Sequence, residues 1–139
     1  MVDEWNKLDT QTLGGVADNI TTNTIVEKKF TQIISNSTNS GRIDYQQRFG
    51  TGTIDTANNY TRTQSVNGGT DSTSVNRSNI DESSSSISSR LMISNVVNIS
   101  GQEKLVITNF VNGGAAGAGT APNRSETVGK WVTSTQFDI

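Results

Sequence analysis

The chain has no histidine and no cysteine among its 139 residues. Histidine is the usual proton shuttle near neutral pH, and cysteine is the strongest common nucleophile. Their absence excludes disulfides and cysteine-based zinc sites. Four carboxylates, Asp44, Asp55, Asp71 and Glu103, are candidates for a glycosidase-type acid pair, but nothing in their spacing brings two of them together. The sequence therefore predicts no catalytic, metal-binding or cofactor-binding residue.

Two glycine-containing segments resemble ligand-binding loops. The segment 113–120 is rich in glycine and alanine, but it lacks the Gly-Lys-Ser/Thr ending of a phosphate loop and no helical pattern follows it. The segment Asn67–Asp71 places oxygen atoms near glycines, as a calcium loop does, but it has too few carboxylates. Asn-Gly is a hairpin-turn signal. Both segments therefore indicate connections between strands.

Aromatic residues are the remaining candidates for a binding site. Tyr45, Tyr60 and Trp131 lie in segments whose alternate positions are polar. If exposed, their rings would form a platform for sugar rings, with polar residues of 67–71 and 112–123 contacting hydroxyl groups. In a small β domain such rings are more often core or interface anchors. Both interpretations stay open for Tyr45, Tyr60 and Trp131, and Trp5 is a further candidate interaction or core anchor.

The composition indicates one domain with a thin core. A chain of 139 residues is one domain by size, yet only 31% of it is hydrophobic and more than a third is Ser, Thr or Asn. The net charge is −2 with no basic stripe, so we expect no nucleic-acid partner. The acidic start lacks a secretory pattern and no stretch has the length of a membrane span. These features predict synthesis in the cytoplasm and no membrane partner.

Eight segments alternate apolar with polar residues or are rich in β-branched residues, as strands are. They lie at 5–13, 19–26, 28–37, 42–49, 58–66, 90–99, 103–111 and 126–137. The clearest is 90–99, in which Leu91, Ile93, Val97 and Ile99 share one face. With turn signals between the segments, the pattern predicts an all-β fold: an antiparallel, jelly-roll-like β-sandwich of about eight strands. The whole chain, 1–139, is expected to form a single β-sandwich domain.

Two regions depart from this pattern. Residues 72–90 contain the serine run Ser83–Ser86 and predict a mobile loop between strands. At the end of the chain, Phe137 and Ile139 alternate as though a strand were beginning. Two explanations stay open: a neighbouring subunit completes a domain that lacks a C-terminal strand, or the sequence is a piece of a longer chain.

Five blocks of the sequence share a family resemblance. They are Trp5–Asp9 with Thr12-Leu13, Lys28–Phe30, Asn67–Asp71, Ser100–Ile107 and Gly117–Val132. Together they resemble virion-associated, jelly-roll-like β-sandwich proteins and domains of bacteriophages and environmental viruses. The last block is the most specific, and the resemblance is weakest over 72–90. It implies a domain on the particle surface, as capsid decoration, fibre or tail appendage, with no catalytic residues to transfer.

The expected function is that of a non-enzymatic virion structural protein. Polar strands with little charge leave sheet edges prone to association, so we expect a closed homo-oligomer, a trimer, that also contacts other capsid or tail proteins. The residues expected to fill the core or the subunit contacts are Trp5, Leu8, Phe30, Ile93, Ile107 and Trp131. The alternative is a carbohydrate-binding module that recognises host glycans. A carboxylate-based depolymerase would need two acids facing one cleft.

Overall fold

The computed structural model describes residues 5–13, 15, 19–25, 27–38, 43–80, 82–85, 89–114 and 117–138, with 43–45 and 82–85 described by their backbone alone. These residues contain no helix, which confirms the all-β class. Their ten strands are β1 Phe30–Thr38, β2 Ile43–Gln46, β3 Gly50–Thr51, β4 Thr53–Ile54, β5 Tyr60–Val66, β6 Ser72–Arg77, β7 Glu82–Ser85, β8 Ser89–Val97, β9 Lys104–Asn112 and β10 Asn123–Trp131.

Six of these strands form one antiparallel sheet. Its order is β1-β8-β9-β10-β5-β6, and each neighbouring pair is antiparallel. The remaining strands form two small antiparallel pairs, β2 with β7 and β3 with β4. In the described part of the chain, the architecture is therefore a single six-stranded sheet with two two-stranded additions.

Six of the predicted segments contain a strand: 28–37, 42–49, 58–66, 90–99, 103–111 and 126–137. The prediction of a strand over 19–26 is wrong for 19–25, and 5–13 forms none either. The β-branched composition of 19–25 favours an extended chain, but a strand also needs a ladder partner. Its one backbone hydrogen bond to a distant segment joins Ile25 N to Asp138 O at 2.8 Å.

The loop predicted over 72–90 is wrong for 72–77 and 82–85, which form β6 and β7. For β7 the cause is pairing with β2, and for β6 it is the turn that precedes it. Asn67 and Gly68 have φ of 52° and 73°, the left-handed pair that a tight hairpin turn requires. The turn folds β6 back onto β5, where Thr63 and Thr73 are opposite each other with their hydroxyl oxygens 3.1 Å apart. Residues 81 and 86–88 of the predicted loop lie outside the described residues.

One face of the six-stranded sheet is covered, and we call it the inner face. Val96, Val106 and Trp131 lie on it, and residues from the connections and from the end of the described chain pack over them. The buried hydrophobic cluster consists of Phe49, Tyr60, Ile80, Val96, Val106, Trp131 and Phe137. Gly129 allows Ile80 to reach the sheet, since a Cβ there would lie 2.7 Å from Ile80 Cγ2.

Phe137 was predicted to begin a new strand, but it packs in the core of its own chain. Its ring stacks on Phe49 with the centroids 4.8 Å apart, and only 2% of the residue is exposed. The Asn98 side chain holds the backbone of Phe137 at two points: Phe137 N donates to Asn98 Oδ1 at 2.9 Å and Asn98 Nδ2 donates to Phe137 O at 3.1 Å. Ile139 lies outside the described residues.

Lys104 holds the turn between β8 and β9 from inside. Its Nζ donates to the carbonyl oxygens of Ile99 at 2.7 Å and Ser134 at 3.2 Å, and to that of Gln102. The residue is fully buried, and this burial lowers the pKa of Lys104. Three donors therefore meet three acceptors, which satisfies the buried ammonium group.

The β3–β4 hairpin yields a first prediction about stability. A Cβ at Gly50 would overlap the Thr53 carbonyl and would lie 2.8 Å from Ile54 Cα. We expect Gly50→Ala to lower the free energy of unfolding by about 1–3 kcal/mol, because backbone atoms must move. Gly52→Ala is the matched comparison: it has free space but a φ of 68°, so it should cost about 1 kcal/mol. Urea unfolding of both variants checks this, and equal costs would contradict the steric explanation.

Candidate interaction surface

The side of the sheet opposite the inner face is largely exposed to solvent, and we call it the outer face. The strand registers place Asn95, Ile107, Val128 and Thr63 in one row across β8, β9, β10 and β5. The neighbouring rows contribute the other side chains that point to this side of the sheet, which are every second residue along each strand. On β1, β8, β9 and β10 the apolar members of the outer face are Phe30, Ile34, Leu91, Ile93, Val97, Leu105, Ile107, Val111 and Val128.

Most of these apolar side chains are largely in solvent. Ile34 is 64% exposed, Phe30 62%, Ile107 56% and Val128 54%. The four strands span about 19 Å across and about 30 Å along, so the whole face covers roughly 600 Å², of which about half belongs to apolar side chains. Contiguous apolar patches beyond a few hundred Å² mark interaction sites on soluble proteins. The outer face therefore has the character of an interface.

The inner face is less apolar than the outer face, although it is the covered one. On the same four strands the apolar residues of the inner face number six: Ile33, Met92, Val96, Val106, Phe110 and Trp131. Polar side chains lie between them. Ser94 Oγ donates to Gln47 Oε1 at 2.9 Å and lies 2.9 Å from Thr108 Oγ1, and both Ser94 and Thr108 are buried. Covered polar groups and exposed apolar groups are the reverse of the usual arrangement.

The charges on the outer face form close pairs. Lys130 Nζ lies 2.7 Å from Glu103 Oε2, and Arg124 lies 3.6 Å from Glu126. Such exposed pairs add little stability. They leave the apolar rows beside them without a net repulsive charge, which suits contact with an identical face.

The four aromatic candidates have different environments. Tyr60 and Trp131 are 0% and 3% exposed, with their rings stacked at a centroid distance of 6.1 Å. They are core residues, so they cannot stack against a sugar ring. Trp5 is 75% exposed. The side chain of Tyr45 lies outside the described residues, so the structure brings together only two of the three rings proposed as a platform.

Four other residues were expected in the core or in subunit contacts, and their exposures differ from one another. Leu8 and Ile93 are half-buried, whereas Phe30 and Ile107 are exposed. Phe30, Ile93 and Ile107 all lie on the outer face. Their side chains are thus on the open side of the sheet, and Trp131 lies in the core.

The candidate carboxylates are not assembled into a catalytic pair. Asp55 Oδ2 accepts hydrogen bonds from Trp131 Nε1 at 2.7 Å and Asn59 Nδ2 at 2.9 Å, and Oδ1 accepts one from Ala57 N at 2.8 Å. Burial opposes its ionisation, but these hydrogen bonds outweigh burial and lower the pKa of Asp55. Glu103 pairs with Lys130, Asp71 is exposed, and the side chain of Asp44 lies outside the described residues.

Comparisons with known proteins identify no relative of this chain. No family model, curated protein or solved structure matches the chain. Within the described ranges, no group of three or more Asp or Glu residues is placed to bind a metal ion. The same ranges hold no helix with the length and apolar character needed to span a membrane.

The sequence did not reveal which face is covered. In 90–99 large apolar residues point to both sides of the strand, because Leu91, Ile93 and Val97 alternate with Met92 and Val96. Period-2 alternation identifies a strand but does not say which side is solvated. The distinguishing feature is the buried Ser94–Thr108–Gln47 contact, which depends on residues far apart in sequence.

Proposed function

We propose that this protein is a non-enzymatic structural subunit of a virus particle surface, as capsid decoration, fibre or tail appendage. The observation that carries the proposal is the uncovered outer face, which is more apolar than the covered inner face. A surface of this kind is stable in water when a neighbouring subunit covers it. The place on a virion rests on the sequence resemblance.

The proposed assembly is a homo-oligomer, a trimer, with the outer faces turned towards a shared three-fold axis. Around this axis each outer face would pack against two neighbours, with interdigitating side chains as between stacked sheets. The neighbours would then supply the second layer of a jelly-roll-like sandwich. Other capsid or tail proteins would then contact the remaining surfaces of the oligomer.

Two observations favour a structural role over the alternatives. Asp55 is engaged in hydrogen bonds that hold the fold and Glu103 pairs with Lys130 at the surface, so neither faces a second acid across a cleft. Tyr60 and Trp131 are core residues, so a sugar platform of the predicted composition lacks two of its rings. We therefore do not extend the proposal to carbohydrate binding.

Native mass spectrometry of the purified chain tests the assembly, and Ile107→Lys is the informative variant. The wild type should be a closed trimer. A lysine in the middle of the outer face would bury an unpaired charge, so we expect the dissociation constant to rise about a hundredfold or more, close to 3 kcal/mol. Val75→Lys is the matched control, since Val75 is 62% exposed but lies on β6, three strands from β9.

The control should assemble as the wild type does, and all three chains should give the same far-UV circular dichroism. A monomeric wild type at high micromolar concentration would contradict the assembly, as would an Ile107→Lys variant that assembles normally. Immunogold labelling of intact particles with antibodies against the chain tests the virion location. Labelling confined to the host cell would contradict that part.

A further inference from the structure

A second surface lies at the edge of the sheet, at right angles to the outer face. Strand β1 is the first strand in the sheet order, and among the described residues it pairs only with β8. Asn98 N donates to Lys29 O at 2.7 Å, so the backbone groups of Lys29 point towards β8. In an antiparallel pair the same holds for every second residue after Lys29. The backbone N–H and C=O groups of Phe30, Gln32, Ile34 and Asn36 therefore point away from the sheet.

Among the described residues, no second strand pairs with this edge. Phe30–Thr38 contains no proline and no charged residue, which are the usual devices that stop a sheet edge from pairing with another chain. The four residues with outward backbone groups offer one donor and one acceptor each. A strand laid alongside β1 would thus find up to about eight backbone hydrogen bonds.

A groove runs along this edge. It has a volume of about 770 Å³, with β1 residues 30–36 on one side and the segment 5–11 on the other. Trp5, Leu8, Ile20 and Ile25 contribute apolar surface to it. The groove therefore offers contacts for alternate side chains of an extended segment, in addition to backbone pairing.

The charges of the groove favour an acidic occupant. Three lysines line it, Lys7, Lys28 and Lys29, against one aspartate, Asp9, although the chain as a whole has a net charge of −2. The Asp9 carboxylate is already engaged by hydrogen bonds from Thr10 N, Gln11 Nε2 and Asn23 N at 2.7–2.9 Å. The lysine pair 28–29 directly precedes β1 and so lies at one end of the groove.

We propose that the β1 groove binds an extended, acidic segment of another protein, which adds to the sheet as an antiparallel strand. Antiparallel pairing brings the C-terminal end of the bound segment to the start of β1. Its acidic residues would therefore be at its own C-terminal end, beside Lys28 and Lys29. The backbone edge of β1 is distinct from the outer face, although the side chains of Phe30 and Ile34 border both surfaces, so the groove provides a contact beyond the proposed self-assembly.

Two synthetic octapeptides of the same composition test the proposal, with acetylated and amidated ends. One is Thr-Val-Thr-Val-Thr-Val-Asp-Asp, and the other carries Asp-Asp at its N-terminus. The first should bind about tenfold more tightly than the second, because only it brings both carboxylates to the lysines. NMR titration and amide exchange of the full chain should show new protection at residues 30, 32, 34 and 36. Equal affinities, no binding of either peptide, or shifts confined to the outer face would overturn the proposal.

Asn36→Pro and Asn36→Ala provide the matched variants. Proline removes an N–H that points out of the sheet, which an edge strand tolerates, whereas alanine keeps it. We expect Asn36→Pro to weaken binding of the first peptide at least tenfold and Asn36→Ala to bind as the wild type does. Unchanged binding by Asn36→Pro would overturn the proposal.

The same samples separate this proposal from the proposed assembly. Asn36→Pro should keep the oligomeric state that native mass spectrometry finds for the wild type, and Ile107→Lys should keep the peptide affinity. If Asn36→Pro abolished the oligomer, the edge would be occupied by a second copy of the chain, which would overturn an acidic partner strand. Loss of peptide binding alone would leave the outer-face assembly untouched.

Discussion

Phe137→Ala is expected to lower the free energy of unfolding by about 3–5 kcal/mol, the range for a buried Phe truncated to alanine. The ring is 2% exposed and stacks on Phe49, which in turn lies 6.1 Å from the Trp131 ring. Its removal would leave a cavity against two rings of the core. The segment 132–138, which follows β10 and packs over the inner face, would then lose its main apolar contact.

The backbone clamp on Phe137 is expected to remain in this variant. Asn98 bonds the N–H and C=O of residue 137, not its side chain, and Asp138 N still reaches Gly50 O at 3.1 Å. The variant should therefore fold, with a lower stability and an unchanged circular dichroism spectrum. A second variant, Asn98→Ala, should cost about 1–3 kcal/mol by removing both clamp bonds in a buried place.

Phe30→Ala is the matched control for Phe137→Ala. It removes the same atoms from a residue that is 62% exposed, so in a monomer it should change stability by no more than about 0.5 kcal/mol. Both changes are best measured by urea unfolding in the Ile107→Lys background, where assembly does not contribute. A cost for Phe137→Ala as small as that for Phe30→Ala would show that residue 137 does not pack in the core in solution.

The central strands were predictable because apolar and polar residues alternate along them with a period of two. In 103–111 the apolar Leu105 and Ile107 alternate with polar residues, and the predicted segment coincides with β9 to within one residue. Asn67-Gly68 likewise predicted a hairpin turn, and both residues have positive φ. Local preference and tertiary structure agree at these places.

β6 was not predictable from its own residues. Ser72–Arg77 has one apolar residue, Val75, and otherwise resembles the serine-rich loop sequence around it. It is a strand because the hairpin turn brings it beside β5, where its backbone completes the ladder. Conversely, 19–25 has good strand residues and finds no ladder partner within the described part of the chain. Pairing partners are distant in sequence, so composition alone cannot assign either segment.

The candidate surface was predictable only in part. A low hydrophobic content pointed to a core completed by neighbours, but the residues did not show which face would be left open. The choice depends on Phe49, Ile80 and Phe137, which come from three separate connections and converge on one side of the sheet. Their convergence buries Ser94 and Thr108 and leaves Ile107 in solvent. This arrangement is the basis of the assembly that we propose.

Tyr60 is expected to make the folded state unstable in alkali. Its hydroxyl donates to the carbonyl of Phe49 at 3.0 Å or of Asp55 at 3.1 Å, and it accepts from Phe49 N at 3.0 Å. Burial raises the pKa of Tyr60 from 10.0 to about 12, and the negative charge of Asp55 adds to this. The folded protein therefore retains this proton at a pH where the unfolded chain has lost it.

The sign of the effect follows from proton binding. Stability from a raised acid pKa is fully present below the unfolded value near 10 and is lost as the pH rises through the folded value near 12. With a difference of about two pKa units, the total loss is about 3 kcal/mol, of which about 1.4 kcal/mol is lost between pH 9 and pH 11. Lys104 acts in the opposite direction, because burial lowers its pKa and stability then rises with pH as the folded lysine loses its proton while the unfolded lysine still holds it.

Tyr60→Phe distinguishes the pH effect of Tyr60 from that of Lys104, since it keeps Lys104 and removes only the phenolic hydroxyl group. The variant should lose about 1–3 kcal/mol at neutral pH, because Phe49 N is left without its acceptor. The difference in stability between wild type and variant should then shrink by about 1.4 kcal/mol from pH 9 to pH 11. The chain has two tyrosines, so a Tyr45→Phe background makes tyrosinate absorbance report Tyr60 alone. Ionisation of that tyrosine near pH 10 in the folded protein would mean that its hydroxyl reaches solvent, and the Phe49–Asp55 connection would then have to open over the core.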